Sequence, residues 1–234
     1  GVQRGLQALG LFKDQKDVES SPRQTFGSYG PGDIKYRDIN GDGLINGDDY
    51  VPLAYNGDTP LLMYGFVGEY RYKNFTAGIL FKGRGRTMVK LMGYGYVPFF
   101  EGQYGNVLKT VANPHNRWIS KEYAAAHGID ISLAENPNAI FPRLTYGQIG
   151  NNSRSSDFWY RNAWFLRLQE VTLNYTMRTK YLRSIGVSGV DFQLIGSNLF
   201  VFDSIKEFDP EQASSRGLVY PIPATYTFHL YIHF

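Results

Sequence analysis

The C-terminal run Ala224-Thr225-Tyr226-Thr227-Phe228-His229-Leu230-Tyr231-Ile232-His233-Phe234 alternates strictly. Ala224, Tyr226, Phe228, Leu230, Ile232 and Phe234 share one register, and Thr225, Thr227, His229, Tyr231 and His233 share the other. A period of two fixes a strand with one apolar face and one more polar face. A tilted strand needs about 9–11 residues to cross a bilayer. A strand of that length, alternating to its last residue and closing on an aromatic, fits the final stave of an outer-membrane β-barrel.

The rest of the composition is consistent with that constraint. Among 234 residues there are 18 Tyr, 16 Phe and 26 Gly, a mix suited to strands, turns and aromatic girdles. No apolar run approaches the ~18 residues of a membrane-crossing helix, whereas barrel strands spread their hydrophobicity over every second position. Cysteine is absent, which removes disulfides, Cys zinc sites and thiol catalysis together. Net charge is +3 without a Lys/Arg block, so no nucleic-acid partner is indicated. No signal peptide opens the sequence; either it has been cleaved or the chain is the C-terminal part of something longer.

Residues 1–60 are rich in Gly, Asp and Pro and read as an irregular segment, followed by strands over 61–234. A hairpin comes first: Leu62, Tyr64, Phe66, Gly68, Tyr70 and Tyr72 alternate up to a tight turn at Lys73-Asn74. The return strand places Phe75, Ala77, Ile79 and Phe81 on one face. A connection over about 93–156 far exceeds ordinary loop length. A third strand region spans about 158–177, where apolar parity switches from Leu166 and Leu168 to Val171, Leu173 and Tyr175; the switch near Glu170 predicts a β-bulge. A fourth strand covers about 188–200, and a long connection near 201–223 leads to the last strand. Short turns at Lys73-Asn74 and about 178–187 then fall on the periplasmic side and the long connections outside, as barrels of this type require. Five strands do not close a barrel, because single-chain barrels need at least about 8. The chain therefore reads as the last part of a larger barrel. A soluble β-sandwich with half-buried strands would show the same alternation, and it remains the alternative.

The strongest local motif is Asp38-Ile39-Asn40-Gly41-Asp42-Gly43-Leu44-Ile45-Asn46-Gly47-Asp48-Asp49. Asp38, Asn40 and Asp42 stand at the first, third and fifth positions of a calcium-type loop, with Gly43 at the sharp turn. Leu44 offers a backbone carbonyl, Asn46 acts directly or through water, and Asp49 closes the loop. The segment resembles dockerin calcium loops, in which Asp also closes the loop. It predicts Ca²⁺ held by Asp38, Asn40, Asp42, Leu44, Asn46 and Asp49 as a loop staple. Asp-Gly and Asn-Gly segments also make plain turns. A secreted β-rich binding module with such a loop is the competing functional reading.

Lys82, Arg84, Arg86 and Lys90 share the face opposite the apolar one. They could steer anionic solute, pair with acidic groups of a plug inside the barrel, or form structural pairs and a solvated face. His229 and His233 lie about 13 Å apart on a strand, too far to share one ion. Trp118, Trp159 and Trp164, with Tyr94, Tyr96, Phe99 and Phe100, fall in or beside the long outer loop and could stack on sugars, line a peptide site or pack the loop. No H-E-x-x-H, G-x-S-x-G or P-loop motif is present, so nothing points to an enzyme.

In order along the chain stand Gly32-Asp33-Ile34-Lys35-Tyr36-Arg37-Asp38, Tyr64-Gly65-Phe66, Arg117-Trp118, Phe141-Pro142-Arg143-Leu144 and Asn151-Asn152-Ser153-Arg154. Asp157-Phe158-Trp159, Phe165-Leu166-Arg167-Leu168, Val171-Thr172-Leu173, Gly196-Ser197-Asn198-Leu199-Phe200, Asp209-Pro210-Glu211 and Tyr220-Pro221 follow. This series resembles the C-terminal region of SusC/RagA-type TonB-dependent outer-membrane transporters of Bacteroidetes. The resemblance implies an all-β antiparallel transmembrane barrel of about 22 strands, completed by the missing strands and an N-terminal plug. It also implies a SusD-like lipoprotein lid, contact with the TonB complex through the missing N-terminal part, an oligosaccharide or peptide substrate, and residence in the cell outer membrane.

Overall fold

In a computed structural model, the structure describes residues 2–55, 60–91, 96–99, 107–146, 149–205, 209–212, 220 and 222–234. Tyr94, Phe100 and Pro221, and parts of the 93–156 and 201–223 connections, lie outside the described residues. The chain divides into two compact units, and the units interleave in sequence. A loop unit draws on Gly1–Asp58 and Met88–Arg161; a wall unit draws on Thr59–Thr87, Asn162–Ala213 and Tyr220–Phe234.

The loop unit holds short elements where the sequence reading expected irregular chain. These are β1 (Val2–Gly5), β2 (Ala8–Leu11), α1 (Gln15–Glu19), β3 (Arg23–Gln24), β4 (Ile34–Tyr36), β5 (Leu44–Ile45) and β6 (Val51–Tyr55). β1 pairs with β6 and β2 with β4, both antiparallel, while β3 pairs with β5 in parallel. Each pairing is too short to raise an alternating signal, so the segment reads as loop in sequence. Strands this short are stabilised by what packs on them: Leu6, Leu11, Phe12, Ile34, Tyr36 and Ile45 are buried.

The wall unit contains β7 (Leu62–Tyr72) and β8 (Phe75–Gly85). β9 (Met88–Lys90), α2 (Lys109–Ala112), α3 (Lys121–Ala126) and β10 (Tyr160–Asn162) come next in the chain. The wall resumes with β11 (Phe165–Met177), α4 (Lys180–Ser184), β12 (Gly189–Asp203) and β13 (Thr225–His233). The third long strand thus begins at Phe165, not near 158, because a 3-10 turn over Asp157–Trp159 and the short β10 precede it. The five long strands form one antiparallel sheet in the order β13-β12-β11-β8-β7. In that order they are 9, 15, 13, 11 and 11 residues long, enough for a tilted bilayer crossing.

The turn between β7 and β8 is the Lys73-Asn74 pair, with Tyr72 opposite Phe75 and Lys73 at φ 52°. The bulge sits where the parity switch placed it. Leu168 faces Phe81 while Glu170 faces Leu80, so β11 gains a residue on β8 between them. β12 gains one in turn on β11: Leu168 faces Phe200 but Glu170 faces Ser197, with Asn198 at φ 55° taking up the bend. Such bulges re-aim the side chains and increase the strand twist a curved wall needs.

Candidate functional site

The register assigns a face to every wall residue. One face takes Tyr64, Phe66 and Tyr70 from β7, Phe75, Ile79 and Phe81 from β8, and Leu166, Leu168, Val171, Leu173 and Tyr175 from β11. β12 adds Val190, Phe192, Leu194, Phe200 and Phe202, and β13 adds Tyr226, Phe228, Leu230 and Ile232. No Asp, Glu, Lys, Arg or His falls on this face among the described residues. Its side chains stand clear of protein: Phe66 is 62%, Tyr226 75% and Phe228 63% exposed. Large apolar patches of this extent mark an interaction surface and not a solvated one. Aromatics gather toward both ends, with Phe200 and Phe202 edge to face at 4.5 Å near one, and Tyr175 and Phe192 at 6.4 Å near the other. Aromatic girdles flanking an aliphatic band are the mark of a lipid-facing barrel wall.

The opposite face is polar. It carries Thr76, Lys82, Arg84, Arg167, Glu170, Thr172, Asn174, Asp191, Gln193, Thr225, Thr227 and His229. Here the Asp209-Pro210-Glu211 segment gathers a set of ion pairs. Arg167, only 2% exposed, donates from Nη2 to both carboxylate oxygens of Asp209 at 2.6 Å, and its Nε lies 3.3 Å from Glu211 Oε2. Lys82 Nζ reaches Glu211 Oε1 at 2.6 Å, and Arg84 donates to the carbonyl of Pro210. The expected stripe is therefore only half a stripe. Lys82 and Arg84 share the polar face, but Arg86 sits at φ 49° beyond the strand end, exposed, and Lys90 belongs to β9. Burial holds the Lys90 ammonium below the usual lysine range. The third cation of the cluster is Arg167, which the sequence pattern does not single out. Its signal was a lone guanidinium inside an otherwise apolar strand end, Phe165-Leu166-Arg167-Leu168. His233 Nε2 donates to the Asp191 carboxylate at 2.8 Å, and His229 pairs with the Tyr231 hydroxyl at 3.1 Å, so the two histidines have separate partners.

The motifs spread along the sequence of the loop unit meet in one buried network. Asp33, fully buried, accepts from Arg143 Nε at 2.9 Å and Nη2 at 3.0 Å, from Asn152 Nδ2 at 2.9 Å and from the Gly30 N–H at 2.8 Å. Asn152 Oδ1 in turn accepts from the Ile34 N–H at 2.9 Å. Gln24 and Asn151 bond each other at 2.7 Å and both donate to the Ile34 carbonyl, while the Tyr36 hydroxyl donates to the Asn151 carbonyl at 2.8 Å. Burial pushes the Tyr36 phenol well above its ordinary range. Trp159 Nε1 donates to the Asn152 carbonyl at 2.7 Å. Gly32 stands at φ 83°, and a Cβ there would come within 2.5 Å of the Trp118 ring. Beside this network Tyr96, Val97, Phe141, Pro142, Arg143 and Trp159 line a small pocket. Trp118 and Trp159 are thus buried in packing, and Trp164 is partly exposed in the wall unit.

The Asp38–Asp49 loop has the turn its spacing required, with Gly41 at φ 77° and Gly43 at φ 81°. Asp38 accepts from the N–H groups of Gly41 and Gly43 at 2.7 and 2.8 Å, and Asp42 Oδ1 accepts from the Leu44 N–H at 2.8 Å. Asn40 Oδ1 accepts from the Asp42 N–H at 3.0 Å. Asn40, Asp42 and Leu44 are exposed. Asn46 and Asp49 form a capping box on a 3-10 turn over Gly47–Asp49. Asp49 is fully buried and accepts from Ile39 N–H at 2.8 Å and Asn46 N–H at 2.9 Å, tying the loop's two ends together. The structure thus brings Asp38, Asn40 and Asp42 into one turn and commits Asp49 to the backbone. Among the described residues no group of three or more His, Cys, Asp or Glu side chains converges as a metal cage.

The antiparallel sheet with a charge-free apolar face and a polar opposite face defines the class: part of the wall of a transmembrane β-barrel. No family model matches the chain. It is 26% identical over 246 residues to the TonB-dependent receptor P26 of Formosa agariphila, covering 98% of the chain and 22% of that protein. It is likewise 26% identical over 196 residues to the TonB-dependent receptor SusC of Bacteroides thetaiotaomicron, covering 82% of the chain and 17% of SusC. Among solved structures, the RagAB peptide importer in its open-open state superposes with a TM-score of 0.61 at 17% identity over the whole chain and 22% of its own. The RagAB peptide transporter superposes with a TM-score of 0.63 at 15% identity, over 98% of the chain and 22% of its own. The chain thus resembles part of the SusC/RagA-type TonB-dependent transporters in sequence, and the RagAB superpositions show the same fold. It spans about a fifth of the length of the curated relatives it matches.

Proposed function

We propose that the chain supplies C-terminal barrel wall and outer loops to a TonB-dependent importer of glycans or peptides in the cell outer membrane, and that it has no catalytic role. The observation that carries this reading is the charge-free apolar face running across all five long strands, backed by a polar face suited to a plugged, hydrated lumen. In this reading residues 1–60 belong to the extracellular part, and a SusD-like lipoprotein covers the outer mouth. The TonB complex acts through the rest of the protein. The resemblance to SusC and to the RagAB structures supports these assignments. Deleting the parent gene and following uptake of labelled oligosaccharide and peptide pools tests the transport role. Loss of uptake of one pool, with a SusD-like lipoprotein co-purifying with the intact transporter, is expected. Unchanged uptake of both pools and no lipoprotein partner would overturn the reading.

We further propose that the 38–49 loop takes Ca²⁺, supported by its ligand spacing and by the left-handed Gly41 and Gly43 that make the sharp turn this spacing needs. Asp38, Asn40, Asp42 and the Leu44 carbonyl would hold the ion, with Asn46 and Asp49 closing the loop behind it. The ion would supply a cross-link in an otherwise exposed segment. Metal content of the purified protein with and without chelator tests this: loss of Ca²⁺ in Asp38→Ala is expected, and a metal-free wild type contradicts it.

A further inference from the structure

The short-turn end of the wall carries a charge imbalance that the barrel reading leaves unexplained. Lys73 lies in the β7–β8 turn, and Arg178, Lys180 and Arg183 lie in or beside α4, between β11 and β12. All four are exposed, and among the described residues none has an ion pair. The carboxylates at this end are already engaged: Glu69 with Arg71 at 3.4 Å, and Asp191 with His233 at 2.8 Å. Arg178 shares the field of the Asp191 carboxylate without a direct bridge, and Lys73, Lys180 and Arg183 have no carboxylate partner among the described residues, so this rim of the sheet carries an excess of positive charge.

Two observations separate this rim from an ordinary solvated face. The Lys73 ammonium lies 5.1 Å from the centroid of the Tyr72 ring, and the register puts Tyr72 on the apolar, lipid-facing side of the wall. Its charge is thus held against the membrane side. The α4 segment also exposes apolar groups among its cations: Tyr181 is 74% and Ile185 60% exposed, four residues apart and so on one side of the turn. A purely solvated turn has no use for that pair, whereas the boundary between headgroups and acyl chains accommodates both kinds of side chain.

We propose that this rim is a binding site for anionic phospholipid headgroups of the inner leaflet, with Lys73, Arg178, Lys180 and Arg183 as phosphate ligands. Tyr72 and Tyr181 seat the site at headgroup depth. The inference rests on the barrel reading and adds to it a lipid class and a rim. Phosphate attracts the four cations, and the guanidinium groups of Arg178 and Arg183 can engage its oxygens in pairs.

The test uses the intact transporter, purified and reconstituted into phosphatidylcholine vesicles with or without phosphatidylglycerol, followed by native mass spectrometry of retained lipid. In the quadruple variant K73Q/R178Q/K180Q/R183Q, retained phosphatidylglycerol is expected to fall at least about fivefold, with phosphatidylcholine unchanged. A control removing the same number of charges at Lys13, Lys16, Lys109 and Lys121 should retain wild-type levels. The charge-preserving K73R/K180R variant should do so as well. Should the quadruple variant fail to fold, the pair K73Q/K180Q reads the same loss in part. Wild-type retention in the folded quadruple or pair variant overturns the proposal, as does stronger retention of lipid A than of phosphatidylglycerol in a third set of vesicles that carries both. A chain that does not enter vesicles of either kind overturns the barrel reading instead.

Discussion

Removing the Asp33 carboxylate should unlock the loop unit. Asp33 is fully buried and receives four N–H donors, two of them from Arg143, whose own side chain is 38% exposed. Truncating one partner of a buried ion pair costs about 3–5 kcal/mol. Because water can partly resolvate Arg143, the figure is discounted to about 3 kcal/mol for Asp33→Ala. Asp33→Asn keeps the volume but sets an amide N–H₂ against existing donors, and should cost about 2 kcal/mol. The assay is urea unfolding followed by tryptophan fluorescence. Trp118 and Trp159 are 7% and 4% exposed and both sit in the loop unit, so in a Trp164→Phe background the signal from this chain reports that unit. With a urea slope of about 2 kcal/mol per molar, Asp33→Ala should lower the midpoint by about 1.5 M. Asp33→Ala combined with Arg143→Gln should cost less than the sum of the two, with a coupling of at least about 1.5 kcal/mol. A midpoint shift under about 0.3 M, or additive effects, would refute the network as the element that joins these motifs.

Further predictions rest on other parts of the structure. Leu194 and Ile195 are neighbours on opposite faces of β12, so Leu194→Arg should cost about 2–4 kcal/mol of folding in vesicles and Ile195→Arg less than about 1 kcal/mol, read by heat-modified gel mobility. Gly32→Ala should cost about 2–4 kcal/mol in the same fluorescence assay, because it adds a clash with Trp118 to a left-handed backbone. Gly41→Ala, at φ 77° with nothing within 4 Å, should cost about 1 kcal/mol. The Asp17 carboxyl is raised by burial but lowered further by Lys35 and the Lys13 N–H, and so ends below the usual carboxylate range. The stability from its 2.6 Å bridge to Lys35 is therefore present above about pH 4 and lost as pH falls through the depressed value; Asp17→Asn should flatten that acid limb.

The wall was legible in the sequence because its signal is long and local. Period-two alternation over Leu62–Tyr72, Phe75–Gly85 and Thr225–His233 fixed faces, and the parity switch from Leu168 to Val171 located the bulge. The loop unit was not legible. Its strands are as short as Arg23–Gln24 and Leu44–Ile45, and the groups that hold it are far apart in sequence, as Asp33, Arg143 and Asn152 are. Their types gave no spacing from which to infer contact. The ion cluster fell between these cases. Lys82 and Arg84 stood out as a stripe, but Asp209 and Glu211, which neutralise them and Arg167, come from a connection whose fold-back no local pattern announces. The calcium-type loop was legible in its turns, at Gly41 and Gly43, but not in the burial of Asp49, which depends on the backbone of Ile39 and Asn46.

Lipid contact of the apolar face is the claim on which the rest depends, and the last strand tests it most directly. This chain contributes no cysteine, so once any cysteine elsewhere in the transporter is replaced, single substitutions from Thr225→Cys through His233→Cys can be spin-labelled one at a time after reconstitution. Collision with oxygen, which dissolves in lipid, should peak at positions 226, 228, 230 and 232, and collision with a water-soluble nickel chelate at 225, 227, 229, 231 and 233. Chelate access at every position, or no alternation, would contradict the barrel-wall account.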